Sequence, residues 1–266
     1  MPELSHCAPH TITCKPWSLA ECCEKFASAG CGGISVWRDA IHSVGLDEAA
    51  KTVRASGLRV PALVRGGFFQ DDDAETVNKT CIDEAAAIGA EMVVLVVGAK
   101  PGVPLAEQRK RVAEGIAGVV EHAAASNVKL AIEPLHPMYA DARSCVNRLK
   151  DATDMAESVG HEAVGVAIDV YHVWWDPDLL YEIELCGRFD RIFGFHECDW
   201  RVPTRDFLTD RGVVGEGCID VAGIRQAVEG AGFAGMHEIE IFSDEGWALP
   251  QDDWLRRVLA GYAQHG

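Results

Sequence analysis

Read along its apolar and polar positions, the chain repeats one unit. A stretch with apolar residues at helical spacing ends in Gly or Asn, and a short run of Val, Ile and Leu follows within a few residues. The helix-ending residue is Gly30 before Gly33-Ile-Ser-Val-Trp37, Gly57 before Val60-Pro-Ala-Leu-Val64, and Gly89 before Met92-Val-Val-Leu-Val-Val97. It recurs as Asn127 before Lys129-Leu-Ala-Ile-Glu133 and Gly160 before Val164-Gly-Val-Ala-Ile-Asp169. Gly187 then precedes Ile192-Phe-Gly-Phe-His196, and Gly232 precedes Met236-His-Glu-Ile-Glu-Ile241. Gly, and to a lesser degree Asn, closes a helix in the left-handed conformation at little cost. Nearly unbroken apolar runs suit parallel strands buried on both faces. Helix starts agree: Ser18-x-x-Glu21 reads as a capping box, and Pro104-Leu105 opens a pattern running to Ser126.

With a first strand near Leu4–Ala8, the chain has eight strand signals, spaced roughly as one strand plus one helix each. This predicts an α/β fold, a single (β/α)8 TIM barrel forming one domain over residues 1–266. The alternative is an open doubly wound sheet, but no G-x-G-x-x-G phosphate turn follows an early strand.

Composition narrows the setting. Hydrophobic residues make up 48% of the chain, enough for a full core, and no run approaches the roughly 20 apolar residues of a membrane helix. The formal charge of −17 opposes nucleic-acid partners. No signal segment is visible at Met1-Pro-Glu-Leu-Ser5. The ten cysteines contain no Cys-x-x-Cys pair and fall mostly in apolar patterns, which suits reduced thiols. The expectation is a cytoplasmic protein with no membrane or nucleic-acid partner, with self-association left open.

Four consecutive strands end in metal-competent residues. The fifth ends at Glu133, the sixth at Asp169 and the seventh at His196, and the eighth carries Glu238-Ile-Glu240. In a barrel of this kind the C-terminal strand ends converge on the active site. Glu238 and Glu240 share a strand face, and Glu240 lies nearer the end. Three carboxylates at one point need a proton or a cation between them. One imidazole with three carboxylates is an oxygen-rich set for one divalent ion, manganese first, with magnesium, cobalt or zinc as alternatives. Further strand-end loops offer Trp37, Arg65 and Trp174 as a grip for a carbohydrate. The stretch from Asp199 to Gly217 reads as a mobile lid.

Ala-Ile-Glu133-Pro, Ala-Ile-Asp169-Val-Tyr-His172, Phe-His196-Glu-Cys-Asp199-Trp, Gly215-Glu-Gly-Cys-Ile-Asp220 and Ile-Glu240-Ile-Phe resemble the motifs of the xylose-isomerase-like sugar phosphate isomerase/epimerase family. That family includes ketose 3-epimerases, hydroxypyruvate isomerases, and inosose isomerases and dehydratases. The resemblance implies a divalent metal on Glu133, Asp169, His196 and Glu240. It also implies that His172 faces substrate or a second metal, and that Arg201 holds substrate oxygens. One position departs from the pattern. Ketose 3-epimerases carry a glutamate six residues after the first ligand, where this chain has Tyr139. His136 is then a new candidate acid or base.

The reading is a divalent-metal-dependent isomerase or epimerase of a sugar or keto-sugar. It works through an enediolate, with Glu133 and Glu240 moving protons next to a carbonyl. A lyase or dehydratase acting on a 3-oxo-sugar, 3-oxo-glycoside or inosose shares that first step and is the alternative. A non-catalytic sugar-binding subunit is a further rival. An abasic-site endonuclease resembles the chain at Asp169-x-x-His172, but this chain has no histidine between Arg201 and Met236.

Overall fold

A computed structural model describes residues 2–266. Seven strands follow in order: β1 (Cys7–Pro9), β2 (Val36–Trp37), β3 (Val60–Val64), β4 (Ala90–Leu95), β5 (Lys129–Ile132), β6 (Val164–Asp169) and β7 (Ile192–Glu197). Two short strands, β8 (Asp199–Trp200) and β9 (Arg211–Gly212), form a separate ribbon, and β10 (His237–Ile239) completes the barrel. The sheet runs β1-β10-β7-β6-β5-β4-β3-β2 with every pair parallel. A parallel bridge between His10 and Ser35 closes the seam between β1 and β2. The predicted (β/α)8 barrel is thus the fold.

The helix endings behave largely as the pattern required. Gly30, Gly57, Gly89, Asn127, Gly160 and Gly232 all have positive φ. The exception is Gly187, which lies within the helix Leu179–Arg188, while Asp190 takes the left-handed conformation. Gly187 serves close packing instead, because a Cβ there would stand 2.3 Å from the Ala231 carbonyl oxygen. Ser18 and Glu21 form the capping box, and Pro104 precedes the helix Leu105–Ala125. The first strand differs from expectation: Leu4–His6 make a 3-10 turn, and pairing begins only at Cys7.

Side chains alternate across each strand. Outward residues such as Val93, Leu95, Leu130, Ile132, Val166 and Ile168 join the large core beneath the helices. Burying each such residue is worth roughly 1.5–3 kcal/mol. Inward residues Ala62, Val64, Met92, Val94, Ala131 and Ala167 form a second, smaller cluster inside the barrel. Two residues further along the same faces stand Glu133 and Asp169. Small residues one layer down, Ala131 and Ala167, leave room beneath them. Gly194 stands likewise two residues before His196.

All ten cysteines are free thiols, with Cys218 the exposed one. No helix among the described residues is long and apolar enough to cross a membrane.

The expected lid is built differently from a single loose loop. β8 and β9 pair antiparallel, leaving residues 201–210 as a tip. Asp199 fixes the returning chain: its carboxylate accepts the backbone N–H groups of Trp200, Gly215, Gly217 and Ile219 at 2.8–3.0 Å. Gly217 has to be glycine for this, since a Cβ would lie 2.3 Å from the Trp200 carbonyl oxygen.

Candidate active site

Strand pairing aims four side chains at one point. Glu133 N–H donates to the Leu95 carbonyl and Glu240 N–H to the Glu197 carbonyl, both at 3.1 Å, which extends the ladder past β5 and β10. Asp169 ends β6, and His196 lies within β7. One ligand atom from each of Glu133, Asp169, His196 and Glu240 lies within 4.8 Å of the others, and all four residues are buried. His196 Nδ1 is 3.0 Å from Glu133 Oε1. Neither atom has a hydrogen-bond partner, nor does His196 Nε2. Buried polar atoms without partners are rare. Here they line a cluster whose oxygen-rich donors with one imidazole fit a divalent ion.

Beneath this cluster is Glu238, one layer deeper in the barrel. It accepts from Ser35 Oγ at 2.6 Å and lies 3.3 Å from His10 Nε2 and 3.6 Å from His196 Nε2. A carboxylate in that place orients both imidazoles. His10 also reaches upward, with Nδ1 3.1 Å from Glu240 Oε1, and Trp37 Nε1–H donates to the same nitrogen at 3.2 Å.

From above, Arg211 of β9 enters the cluster. Its Nη1 donates to Asp169 Oδ2 at 2.9 Å and to Glu240 Oε2 at 2.8 Å, and the guanidinium lies over the Tyr171 ring at 4.4 Å. Its Nη2 is 3.3 Å from His172 Nε2. In the tip it anchors, the Phe207 carbonyl accepts from the Tyr139 hydroxyl at 2.6 Å and the Tyr171 hydroxyl at 3.0 Å, while Thr209 Oγ1 donates to Asp244 at 2.9 Å and Arg205 to Glu245 at 3.0 Å.

These contacts set the charge states. Burial lifts Asp169 to about 7 against the pull of Arg211, helped by Glu240 and Glu133. Burial also pushes Glu240 up, but His10 and Arg211 outweigh it and hold this carboxyl well below the usual range. Burial opposes protonation of His196, yet Glu238 and Glu133 raise it to about 10. His172 is driven far down by burial and by Arg211. The Arg211 guanidinium and the raised His196 thus stand against the carboxylates of the cluster.

The cavity at the mouth is small, about 20 Å³. Its polar lining includes Glu133, Glu240, His172, Arg143 and Arg211, and Trp37, Tyr139, Leu208 and Phe242 supply apolar surface. Of the residues singled out from sequence, Glu133, Asp169, His196 and Glu240 come together, with Trp37 and His172 beside them.

Others do not reach the cavity. Arg201 is drawn aside by Glu245 at 2.9 Å and Asp210 at 3.5 Å, and the arginine among the carboxylates is Arg211. His136 accepts from the Met138 N–H at Nδ1, packs its ring against Trp175 and Trp200, and is not among the residues lining the cavity. Trp174 tilts against Trp200 and packs on the core, and Trp175 donates to the His172 carbonyl. Arg65 stacks over Phe68 at 4.2 Å and is not a wall of the cavity.

Sequence reasoning missed His10, Arg211 and Arg143. His10 was legible: extending the first strand to Pro9 puts it at the same end as the other site residues. Arg211 and Arg143 sit in loops with no periodic signal.

The sequence pattern of the family described as the xylose isomerase-like TIM barrel matches residues 23–262, and the chain belongs to that family. Among its relatives, the inosose isomerase of Bacillus velezensis is 27% identical over 235 residues, covering 81% of this chain and 78% of that protein. The crystal structure of protein SMc04130 from Sinorhizobium meliloti 1021 is 44% identical, covers 99% of both chains and has a TM-score of 0.95. The structure of the IolI protein with a zinc atom is 20% identical, covers 97% of this chain and 96% of that one, and has a TM-score of 0.84, a likeness of fold.

Proposed function

We propose that the chain isomerises or epimerises a sugar or keto-sugar by moving a proton at the carbon next to a carbonyl. The observation that carries this reading is the convergence of Glu133, Asp169, His196 and Glu240, with buried partnerless atoms, beneath a cavity at the barrel mouth. Kinship with an inosose isomerase supports the reaction class.

Those four residues would hold a divalent ion, manganese or zinc being the first candidates. When bound, such an ion polarises a carbonyl and acidifies the neighbouring C–H. Glu240, kept ionised by His10 and Arg211, accepts the proton at a carboxylate oxygen. Glu133 enters from a strand three places away around the barrel and returns a proton from its own side. His172, neutral through burial, donates or accepts a hydrogen bond to a substrate hydroxyl. Trp37 and Phe242 cover the apolar face of the sugar, and Leu208 and Tyr139 exclude water. Loss of a β substituent after the same proton removal gives the lyase outcome, and product analysis separates the two.

The test is incubation of metal-loaded protein with keto-sugars and inososes in D₂O. The α hydrogen should exchange, or show a primary isotope effect when deuterated. Metal content should fall in Glu240→Gln. Turnover with the deuterium retained and no isotope effect overturns the reading.

A further inference from the structure

One layer below the four converging residues, His10, His196 and Glu238 form a second cluster. In the sheet, β10 lies between β1 and β7. Glu238 pairs with His196 of β7 on one side and with Ala8 of β1 on the other, and His10 follows the end of β1. Three adjoining strands thus supply the three side chains. All three residues are completely buried. Glu238 Oε2 is 3.3 Å from His10 Nε2, and Glu238 Oε1 is 3.6 Å from His196 Nε2. The two imidazoles meet edge to face with centroids 4.9 Å apart. One ligand atom from each residue lies within 4.8 Å of the other two.

Proximity has not become hydrogen bonding. His10 Nε2, His196 Nε2 and Glu238 Oε1 are all without a hydrogen-bond partner. Such atoms are rare in a protein interior, and three of them gathered around one carboxylate mark a place for a cation. The remaining atoms are held from outside. Glu238 Oε2 accepts from Ser35 Oγ at 2.6 Å. Donation from His10 Nδ1 to Glu240 Oε1 at 3.1 Å, in place of the contact from Trp37, leaves Nε2 with a free pair. A histidine that gives its other N–H to a carboxylate is the common form of a metal-bound one. Donors held at 2.0–2.2 Å from a tetrahedral ion stand roughly 3.3–3.6 Å apart. The separations of 3.3 and 3.6 Å around Glu238 match that spacing.

We propose that His10, His196 and Glu238 form a second divalent-cation site, below the first, with zinc as its ion. Two imidazoles and one carboxylate suit zinc, whereas manganese favours the oxygen-rich upper set. The competing occupant is a proton, which zinc must expel. Nothing in this depends on the carbonyl-sugar reading. An ion here ties β1, β10 and β7 together beneath the reacting groups and stabilises the folded chain by mass action. His196 serves both sets, through Nδ1 above and Nε2 below. While its ring keeps one proton it can hold an ion on one side only, so zinc bound below weakens the upper set.

The experiment adds zinc or manganese to chelator-treated protein carrying Asp169→Asn, which breaks the upper set and leaves the deeper three. Calorimetry should give one zinc per chain, with manganese bound at least tenfold more weakly. Adding His10→Gln or Glu238→Gln to this variant should weaken zinc tenfold or more. X-ray absorption at the zinc edge should show two imidazole ligands, where the upper set offers one. Glu133→Gln breaks the upper set a second way and should behave as Asp169→Asn does, and circular dichroism of every variant checks the fold. Folded Asp169→Asn and Glu133→Gln proteins that take up no zinc overturn the deeper site. So does a single imidazole, or zinc affinity unchanged by both His10→Gln and Glu238→Gln. Zinc binding needs no turnover. Failure of α-hydrogen exchange with zinc binding intact would therefore remove the carbonyl reading and leave this site standing.

Discussion

Replacing Arg211 with methionine removes the cation between Asp169 and Glu240 while keeping an unbranched apolar stem. Both carboxylates are essentially sealed from water, at 0% and 3% exposure, and each loses a charge-assisted bond of 2.9 or 2.8 Å. Breaking a buried ion pair on one side costs about 3–5 kcal/mol, because the remaining charge has no solvent to turn to. For a chain of this size that is a fall in Tm of about 10 °C. In chelator, thermal and urea unfolding of Arg211→Met should show this loss. In excess Mn²⁺ or Zn²⁺ most of it should return, since an ion supplies the missing charge and stabilises the folded state by mass action. The variant should also bind the ion tenfold or more tightly than wild type, whose Arg211 must first leave the carboxylates. Amide exchange across residues 201–210 should rise as the anchor is lost. Wild-type stability of the variant in chelator, or an undiminished deficit at saturating ion, would refute the reasoning.

Asp199→Ala strips the acceptor from four backbone N–H groups and should cost roughly 3 kcal/mol or more. Hydrogen exchange should quicken at Gly215, Gly217 and Ile219, with less change in Asp199→Asn. Arg225→Ala leaves Glu197 buried and unpaired, and denaturant melts should show a loss of about 3–5 kcal/mol. Burial and Arg225 push His237 down to about 4, so the unfolded chain takes up this proton first as pH falls. The stability from keeping His237 neutral is therefore complete above about pH 6.5 and lost progressively down to about pH 4, up to ~3 kcal/mol. His237→Gln should flatten that limb of the stability–pH curve.

The barrel was legible because its rules are local. A helix that must stop within a few residues of a buried strand leaves Gly or Asn behind, and six of seven such marks adopt the left-handed backbone. The four strand-end residues were legible for a related reason, since period-2 alternation carries Glu133 and Asp169 to the same face as Ala131 and Ala167. What escaped depends on contacts distant in sequence. Arg201 and Arg211 both lie in the β8–β9 segment, and only the antiparallel pairing of Trp200 with Arg211 decides which of them turns inward. The turn that gives His136 Nδ1 the Met138 N–H could not be read from sequence spacing. Glu238 was weighed as a rival to Glu240, whereas the barrel uses both, at successive depths.

Above the mouth, the tip meets the barrel through its main chain. Tyr139 and Tyr171 reach the carbonyl of Phe207, an atom that every amino acid provides, while the Phe207 side chain itself is 58% exposed. Leu208, next in sequence, faces the cavity. Attachment and recognition are thus carried by different atoms of adjacent residues. Drift or deliberate redesign at 207 and 208 can reshape the wall that meets the substrate while the suspension stays in place. That makes this short stretch a natural starting point for diversifying what the barrel accepts.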